Sequence, residues 1–150
     1  MANTASSSQK PQAALAGKIA SRIGAVLAER PEVLEAYLFG SQATGRAQAH
    51  SDVDVAVYLD ESVPGASGWG RAAELASLVM SALGRNDVDV VVLNRAPPLL
   101  YHRVLRDGVR VFSRDLRATT TREGYALSRY CDFVPQLAKA REARRRAQGR

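Results

Sequence analysis

Cysteine occurs once in this 150-residue chain, at Cys131, which excludes an internal disulfide framework and any cysteine-rich metal site. No stretch approaches the ~20 consecutive apolar residues that a membrane helix needs. The first ten residues, Met1 to Lys10, are polar, so they lack the apolar centre of a signal peptide and lead to an expectation of disorder over residues 1–10. Histidine is present only as His50 and His102, and no Gly-x-Ser-x-Gly elbow accompanies Ser41, so a hydrolase triad finds little support. These shortages imply a soluble, cytoplasmic protein without a disulfide scaffold. At 46% apolar and 24% charged residues, what remains is an ordinary globular composition in a chain long enough for one domain.

Acidic charge is also in short supply, but only at one end. The formal net charge is +6, and the stretch from Lys139 to Arg150 supplies six basic residues against the single acid Glu142. Residues 1–138 are therefore nearly neutral. A nucleic-acid-binding surface would spread its positive charge over the fold. Here it is confined to residues 139–150, the pattern of a solvated helix end, with a phosphate-seeking patch as the other reading.

Hydrophobic periodicity outlines the rest. Leu15, Ile19, Ile23, Val26 and Leu27 recur at helical spacing from Pro11 until Pro31. Leu34 to Phe39 reads as a buried strand, and Gln42 to Ser51 as a small, polar loop. Val53, Val55 and Val57 alternate with Asp52, Asp54 and Ala56, the period of a second strand. A Pro/Gly/Ser loop over 62–68 precedes a helix whose stripe is Trp69, Ala72, Ala73, Ala76, Val79, Met80 and Leu83. Val88 to Leu93 is a third strand, Pro97-Pro98 opens a helix that Gly108 closes, and Val109 to Phe112 is a fourth strand. Asp115 caps a long last helix carrying Leu116, Leu127, Tyr130 and Val134 near one face, with Pro135 expected to kink or end its packed part and Cys131 expected to be buried. Tyr101, His102 and Arg103 read as helix surface. The order α-β-β-α-β-α-β-α implies an α/β (α+β) fold, a mixed sheet of about four strands flanked by helices, with a body over 11–138 and a basic tail over 139–150.

Aspartates interrupt two of these strands. Asp52 and Asp54 are two apart and share a side. If Val88, Val90 and Val92 face helices, Asp89 faces the other way, where it would meet that pair. Asp87 has the same parity and is an alternative third carboxylate, although its place at the start of the strand favours Asp89. Two carboxylates about 5 Å apart repel by roughly 3 kcal/mol at an effective dielectric of 20, so a cluster of three demands protons or cations. Magnesium, which prefers carboxylate oxygen and shares its shell with nucleotide phosphates, answers that demand. Two such ions could clamp an in-line phosphoryl-type transfer. Upstream, the backbone of Gly40 and the hydroxyl of Ser41 are suited to hold a phosphate.

The run from Gly40 to Val57 resembles the signature of the polymerase-beta-like nucleotidyltransferases in their minimal (MNT) form: Gly-Ser, ten residues, Asp-x-Asp and an apolar strand. Gly45 and Ser51 fall where that family often has glycine and serine, and Leu99 to Phe112 looks like its helix-Gly-strand close. Arg129-Tyr-Cys-Asp-Phe-Val-Pro135 is similar to a segment of the MNT antitoxins of HEPN–MNT toxin–antitoxin pairs. The resemblance spans roughly residues 15–137. It implies that Asp52 and Asp54 bridge two Mg2+ ions, that Asp89 is a third metal ligand or the base for the acceptor hydroxyl, and that Gly40 and Ser41 bind the nucleotide. It further implies AMP transfer from ATP to a tyrosine of a partner HEPN ribonuclease toxin. Three other readings stay open at this point: an antitoxin that neutralises by covering its partner, transfer to a small molecule, and a nucleic-acid module built on the basic tail.

Overall fold

The computed structural model describes residues 9–48, 50–66 and 69–149. Helix α1 covers Gln9–Ala28, strand β1 Val33–Phe39, the single turn α2 Ser41–Thr44, β2 Val53–Leu59, α3 Trp69–Leu83, β3 Val88–Val92, α4 Pro98–Asp107, β4 Val109–Ser113 and α5 Leu116–Gln148. The four strands form one mixed sheet in the order β3-β2-β1-β4, with β1 antiparallel to β2 and β4, and β2 parallel to β3. The expected α/β (α+β) mixed sheet of four strands, with its flanking helices and long last helix, is what the chain forms.

One face of the sheet is wholly apolar. Val53, Val55 and Val57 of β2, Val88 and Val90 of β3, and Ala36 and Leu38 of β1 pack beneath Ile19, Ile23 and Leu27 of α1 and Leu75 and Val79 of α3. Each such fully buried aliphatic side chain contributes about 1.5–3 kcal/mol. Gly24 lets α1 lie close to β4, because a Cβ there would strike the Val111 carbonyl. A bulge between Val33 and Glu35 changes the parity of β1, so Val33 joins this core while Glu35 turns to the opposite face.

That second face is covered by α4 and by the first turns of α5. Tyr37, Phe39, Ala56, Leu93, Ala96, Tyr101, Val104 and Ala126 form its core. The Asp115 side chain caps α5 as expected, accepting from the Arg117 and Ala118 amides at 2.9 and 3.2 Å.

Several expectations need correcting. Helix α1 begins at Gln9, earlier than Pro11, so Gln9 and Lys10 are helical; residues 1–8 lie outside the described residues. The stretch expected to be loop after Ser41 opens with the turn α2. In α3 the buried anchors are Leu75 and Val79, and Ala73 is exposed; the side chain of Trp69, expected in the core, is outside those described. Tyr101 is buried, not surface. Along α5, Leu116, Leu127 and Val134 are exposed, and so is Cys131. Leu116 and Leu127 flank Thr119 and Ala126, the residues of α5 that reach the core, but on sides of the helix that face solvent; Cys131 and Val134 lie beyond them, where the helix runs on through Pro135 as far as Gln148. Leu15 is exposed too, towards the other end of the chain.

Candidate active site

The second face of the sheet is open at one end, and there the carboxylates gather. Because Val53 and Val55 point into the apolar core, Asp52 and Asp54 emerge on the opposite side. Parallel pairing sets Asp54 directly against Asp89, and antiparallel pairing sets it against Phe39. Adjacent strands lie about 4.8 Å apart, so the register itself brings Asp54 and Asp89 together across a sequence gap of thirty-five residues. Asp54 is half-buried; Asp52 and Asp89 are exposed.

The turn after β1 closes on this group. Gly40 has φ +71°, a conformation side chains rarely adopt, and a Cβ placed on it would fall on the Asp54 carboxylate. Glycine is thus required twice over. Ser41 follows at the start of α2, and Gly45, also left-handed at φ +71°, ends that turn.

The loop leading back to Asp52 is tied down. The Ser51 carbonyl accepts from Gln42 Nε2 at 3.3 Å and from Arg85 Nη2 at 2.8 Å. The Ser51 hydroxyl accepts from the Gln48 amide at 2.8 Å, and the Val53 amide donates to the Asp87 carbonyl at 2.8 Å. Gln42 is buried although it belongs to a polar stretch, and this anchoring role explains why. Neither Gln42 nor Arg85 stood out in the sequence, since the contacts join segments far apart in the chain.

The structure separates the two candidates for third carboxylate. Asp87 is committed to Arg85, whose Nε donates to its Oδ1 at 2.7 Å, and that hydrogen bond holds the Asp87 carboxyl below the usual range. Asp89 takes part in no ion pair among the described residues.

Electrostatics mark Asp54 as the strained member. Burial pushes its carboxyl above the ordinary range, the charges of Asp89 and then Asp52 push it further, and Arg103 on α4 works against them. As the side chains stand, no three acidic, histidine or cysteine groups among the described residues converge tightly enough to enclose an ion. The chemistry of the set still fits one. All its donors are hard carboxylate oxygens, they share one face and one end of the sheet, and a divalent cation would relieve their mutual repulsion. Asp52, Asp54 and Asp89, beside the Gly40-Ser41 turn, are the residues whose chemistry would suit a divalent cation.

The histidines serve no such role. His50 is exposed, and His102 stacks on Tyr130 at 3.7 Å between ring centroids, which joins α4 to α5. Neither bonds to Ser41 among the described residues.

A Gly-Ser turn set against in-register aspartates on a mixed sheet is the architecture of a nucleotidyltransferase. Consistently, the family described as Polymerase beta, Nucleotidyltransferase matches residues 21–117, and the chain belongs to it. Among curated proteins it is similar to the protein adenylyltransferase MntA of Shewanella oneidensis, 33% identical over 82 residues, so the chain spans about half (55%) of that relative's length. Among solved structures it resembles a toxin–antitoxin crystallised with AMP-PNP, at 25% identity and TM-score 0.68 over 83% of this chain and 97% of that one. It shares its fold with a chain of the complex between tri-AMPylated Shewanella oneidensis HEPN toxin and MNT antitoxin, at 23% identity and TM-score 0.64, over 85% of this chain and 98% of that one.

Proposed function

We propose that this chain is an antitoxin nucleotidyltransferase that transfers AMP from ATP to a tyrosine hydroxyl of a cognate HEPN ribonuclease toxin in the cytoplasm, and so inactivates it. The observation that carries the reading is the set of unpaired carboxylates, Asp52, Asp54 and Asp89, on one face beside Gly40 and Ser41. Support comes from the MntA relative, an adenylyltransferase by name, and from the AMP-PNP complex among the similar structures. No helix among the described residues is long and apolar enough to cross a membrane, in keeping with a soluble protein that meets its partner in the cytoplasm.

In this reading Asp52 and Asp54 hold the metal pair and Asp89 is the third ligand or the base. Two Mg2+ ions, when bound, would neutralise the phosphate charge and polarise the attacking and leaving oxygens. Gly40 offers its backbone and Ser41 its hydroxyl to the nucleotide phosphates. The tyrosine oxygen forms a bond to the α-phosphorus as the bond to pyrophosphate breaks, and the phenolic proton passes to Asp89 or to water. Gln42 and Arg85, by fixing the Ser51 carbonyl, keep Asp52 at the mouth of the site. The body over 11–138 carries this chemistry, and residues 139–148 form the end of α5.

Intact-mass measurement tests the proposal: the partner toxin is incubated with the protein, ATP and Mg2+, with Asp52→Asn/Asp54→Asn as control. A gain in whole AMP units that the control abolishes is the expected result. If both forms neutralise the toxin without any mass gain, the protein acts by binding alone and the transfer reading fails.

A further inference from the structure

Arg103 is an exposed residue of α4, the helix that covers the sheet face from which the carboxylates emerge. Helix α4 is seated on the sheet by Tyr101 and Val104, both buried against the cluster that contains Phe39 and Ala56. Its end is pressed down hard: a Cβ on Gly108 would collide with the Val104 carbonyl and come within 3.2 Å of the Leu38 carbonyl and 3.3 Å of Phe39 Cβ. Phe39 is the register partner of Asp54, so α4 ends against the strand next to the one that carries Asp54. Successive helical residues turn by about 100°, so with Tyr101 and Val104 facing inward His102 and Arg103 leave the helix on opposite flanks. His102 goes to α5, where it stacks on Tyr130. Helix α5 meets β4 through the Arg110–Glu123 and Ser113–Thr119 contacts, so Arg103, on the flank away from α5, lies on the side of β2 and β3.

An arginine in such company ordinarily closes an ion pair. This one does not, among the described residues. Asp107, one turn along α4, is the obvious partner, but both its oxygens are taken by Arg106, whose Nε and Nη2 each lie at 2.7 Å. Arg103 is exposed and its side chain takes part in no hydrogen bond or ion pair among the described residues, whereas the nearby Arg85 is already committed to Asp87 and the Ser51 carbonyl.

We propose that Arg103 binds the polyphosphate of the incoming nucleotide and retains the pyrophosphate as it leaves. The inference rests on the nucleotidyltransferase reading above. A planar guanidinium matches two phosphate oxygens at once, and charge-assisted pairs of this kind are the strong ones. Carboxylates with their metal ions would take the α-phosphate, Gly40 and Ser41 would hold one side of the chain of phosphates, and Arg103 would hold it from α4. Because the contact is to the β- and γ-phosphates, AMP has no share in it.

Calorimetric titration of the full chain with Mg2+ and either ATP or AMP separates the outcomes. Arg103→Ala is expected to weaken ATP binding by about tenfold or more while changing AMP binding by less than about twofold, with Arg103→Lys in between. Arg117→Ala, which removes the same charge from the exposed start of α5, should leave ATP binding within about twofold. Thermal midpoints check that each variant is folded. Unchanged ATP affinity in Arg103→Ala, or an equal loss for ATP and AMP, overturns the assignment of Arg103 alone. A wild-type protein that binds neither nucleotide overturns the nucleotidyltransferase reading and this inference with it.

Discussion

Two groups of carboxylates in this protein are treated in opposite ways. Glu32 and Glu35 are almost completely buried, and each is met by arginine. Glu32 lies 2.8 Å from Arg30 and 3.1 Å from Arg71, in a network that also takes in Glu74. Glu35 accepts from Arg122 Nε at 2.9 Å, with Nη2 at 2.7 Å, and the Tyr101 hydroxyl is at 3.5 Å. Asp52, Asp54 and Asp89 lie at the other end of the Glu35 face, and none of them is ion-paired among the described residues. Arginine is abundant in this chain, so the unpaired group does not reflect a lack of cations. Charge pairing serves the fold where carboxylates are buried and is withheld at the group proposed to meet a ligand. Unpaired charges held together against their repulsion cost stability, and such cost is expected at functional sites.

The sharpest way to break this contrast is to compare a paired and an unpaired aspartate two residues apart. Asp87 and Asp89 differ by one turn of the strand repeat, yet one is bound by Arg85 and the other is free. Asp89→Asn should reduce AMP transfer by at least about 100-fold, the scale of losing one electrostatic element of the transition state. Asp87→Asn, which loosens Arg85 and through it the Ser51 carbonyl, should cost about tenfold at most. Initial rates of AMP incorporation decide it, and equal losses would dissolve the distinction between paired and unpaired carboxylates.

Stability is the second place to press. Arg122→Ala leaves Glu35 buried without its cation, and unfolding in urea should show a loss of about 3–5 kcal/mol. Replacing both partners together, as Glu35→Gln/Arg122→Met, should restore most of that loss, because the penalty belongs to the orphaned charge. If the single variant is as stable as wild type, pairing does not serve the fold in the way argued.

The two groups were not equally legible. The Asp-x-Asp alternation and the Gly-Ser turn are local patterns, so the chemistry of Asp52, Asp54, Gly40 and Ser41 was open to reading in one dimension. That Asp89 stands beside Asp54 is a matter of register between parallel strands, which valine parity suggested but only pairing settles. Glu35 hid within the apolar run Leu34 to Phe39, because the bulge that turns it away from Val33 leaves no mark in composition. Its partner Arg122 is eighty-seven positions away. Arg103 read as helix surface and is indeed exposed, but the packing of α4 on the sheet, which sets its flank, is not visible in one dimension. In α5 the apolar residues misled: Leu116, Leu127 and Val134 have core spacing, but it is Thr119 and Ala126, on another stripe of the helix, that reach the core.

Asp54 allows the smallest and most direct test, because the two groups must respond to pH in opposite directions. Burial favours the protonated form of Glu32, but the Arg30 hydrogen bond and the charges of Arg30 and Arg71 outweigh it, so its carboxyl titrates below the ordinary glutamate value. Its contribution to stability is full above about pH 4.3 and is lost as pH falls through the lowered value. Asp54 is raised, by burial first and then by Asp89 and Asp52. Its contribution is full below about pH 3.9 and is lost as pH rises through the raised value, so at neutral pH its charge opposes folding. Asp54→Asn should therefore stabilise the metal-free protein at pH 7 by about 0.5–1 kcal/mol, the modest figure appropriate to a side chain still open to solvent. That corresponds to a rise of about 1–4 °C in the unfolding midpoint. The gain should shrink towards zero as the pH approaches the ordinary aspartate value, where wild type is protonated as well. Millimolar Mg2+ should raise the midpoint of wild type and leave Asp54→Asn nearly unchanged, because the ion performs the neutralisation that the substitution has already made. A variant less stable than wild type at pH 7, or equally stabilised by Mg2+, would mean that Asp54 is held by the fold in the same manner as Glu32 and that no cation is needed to settle the cluster.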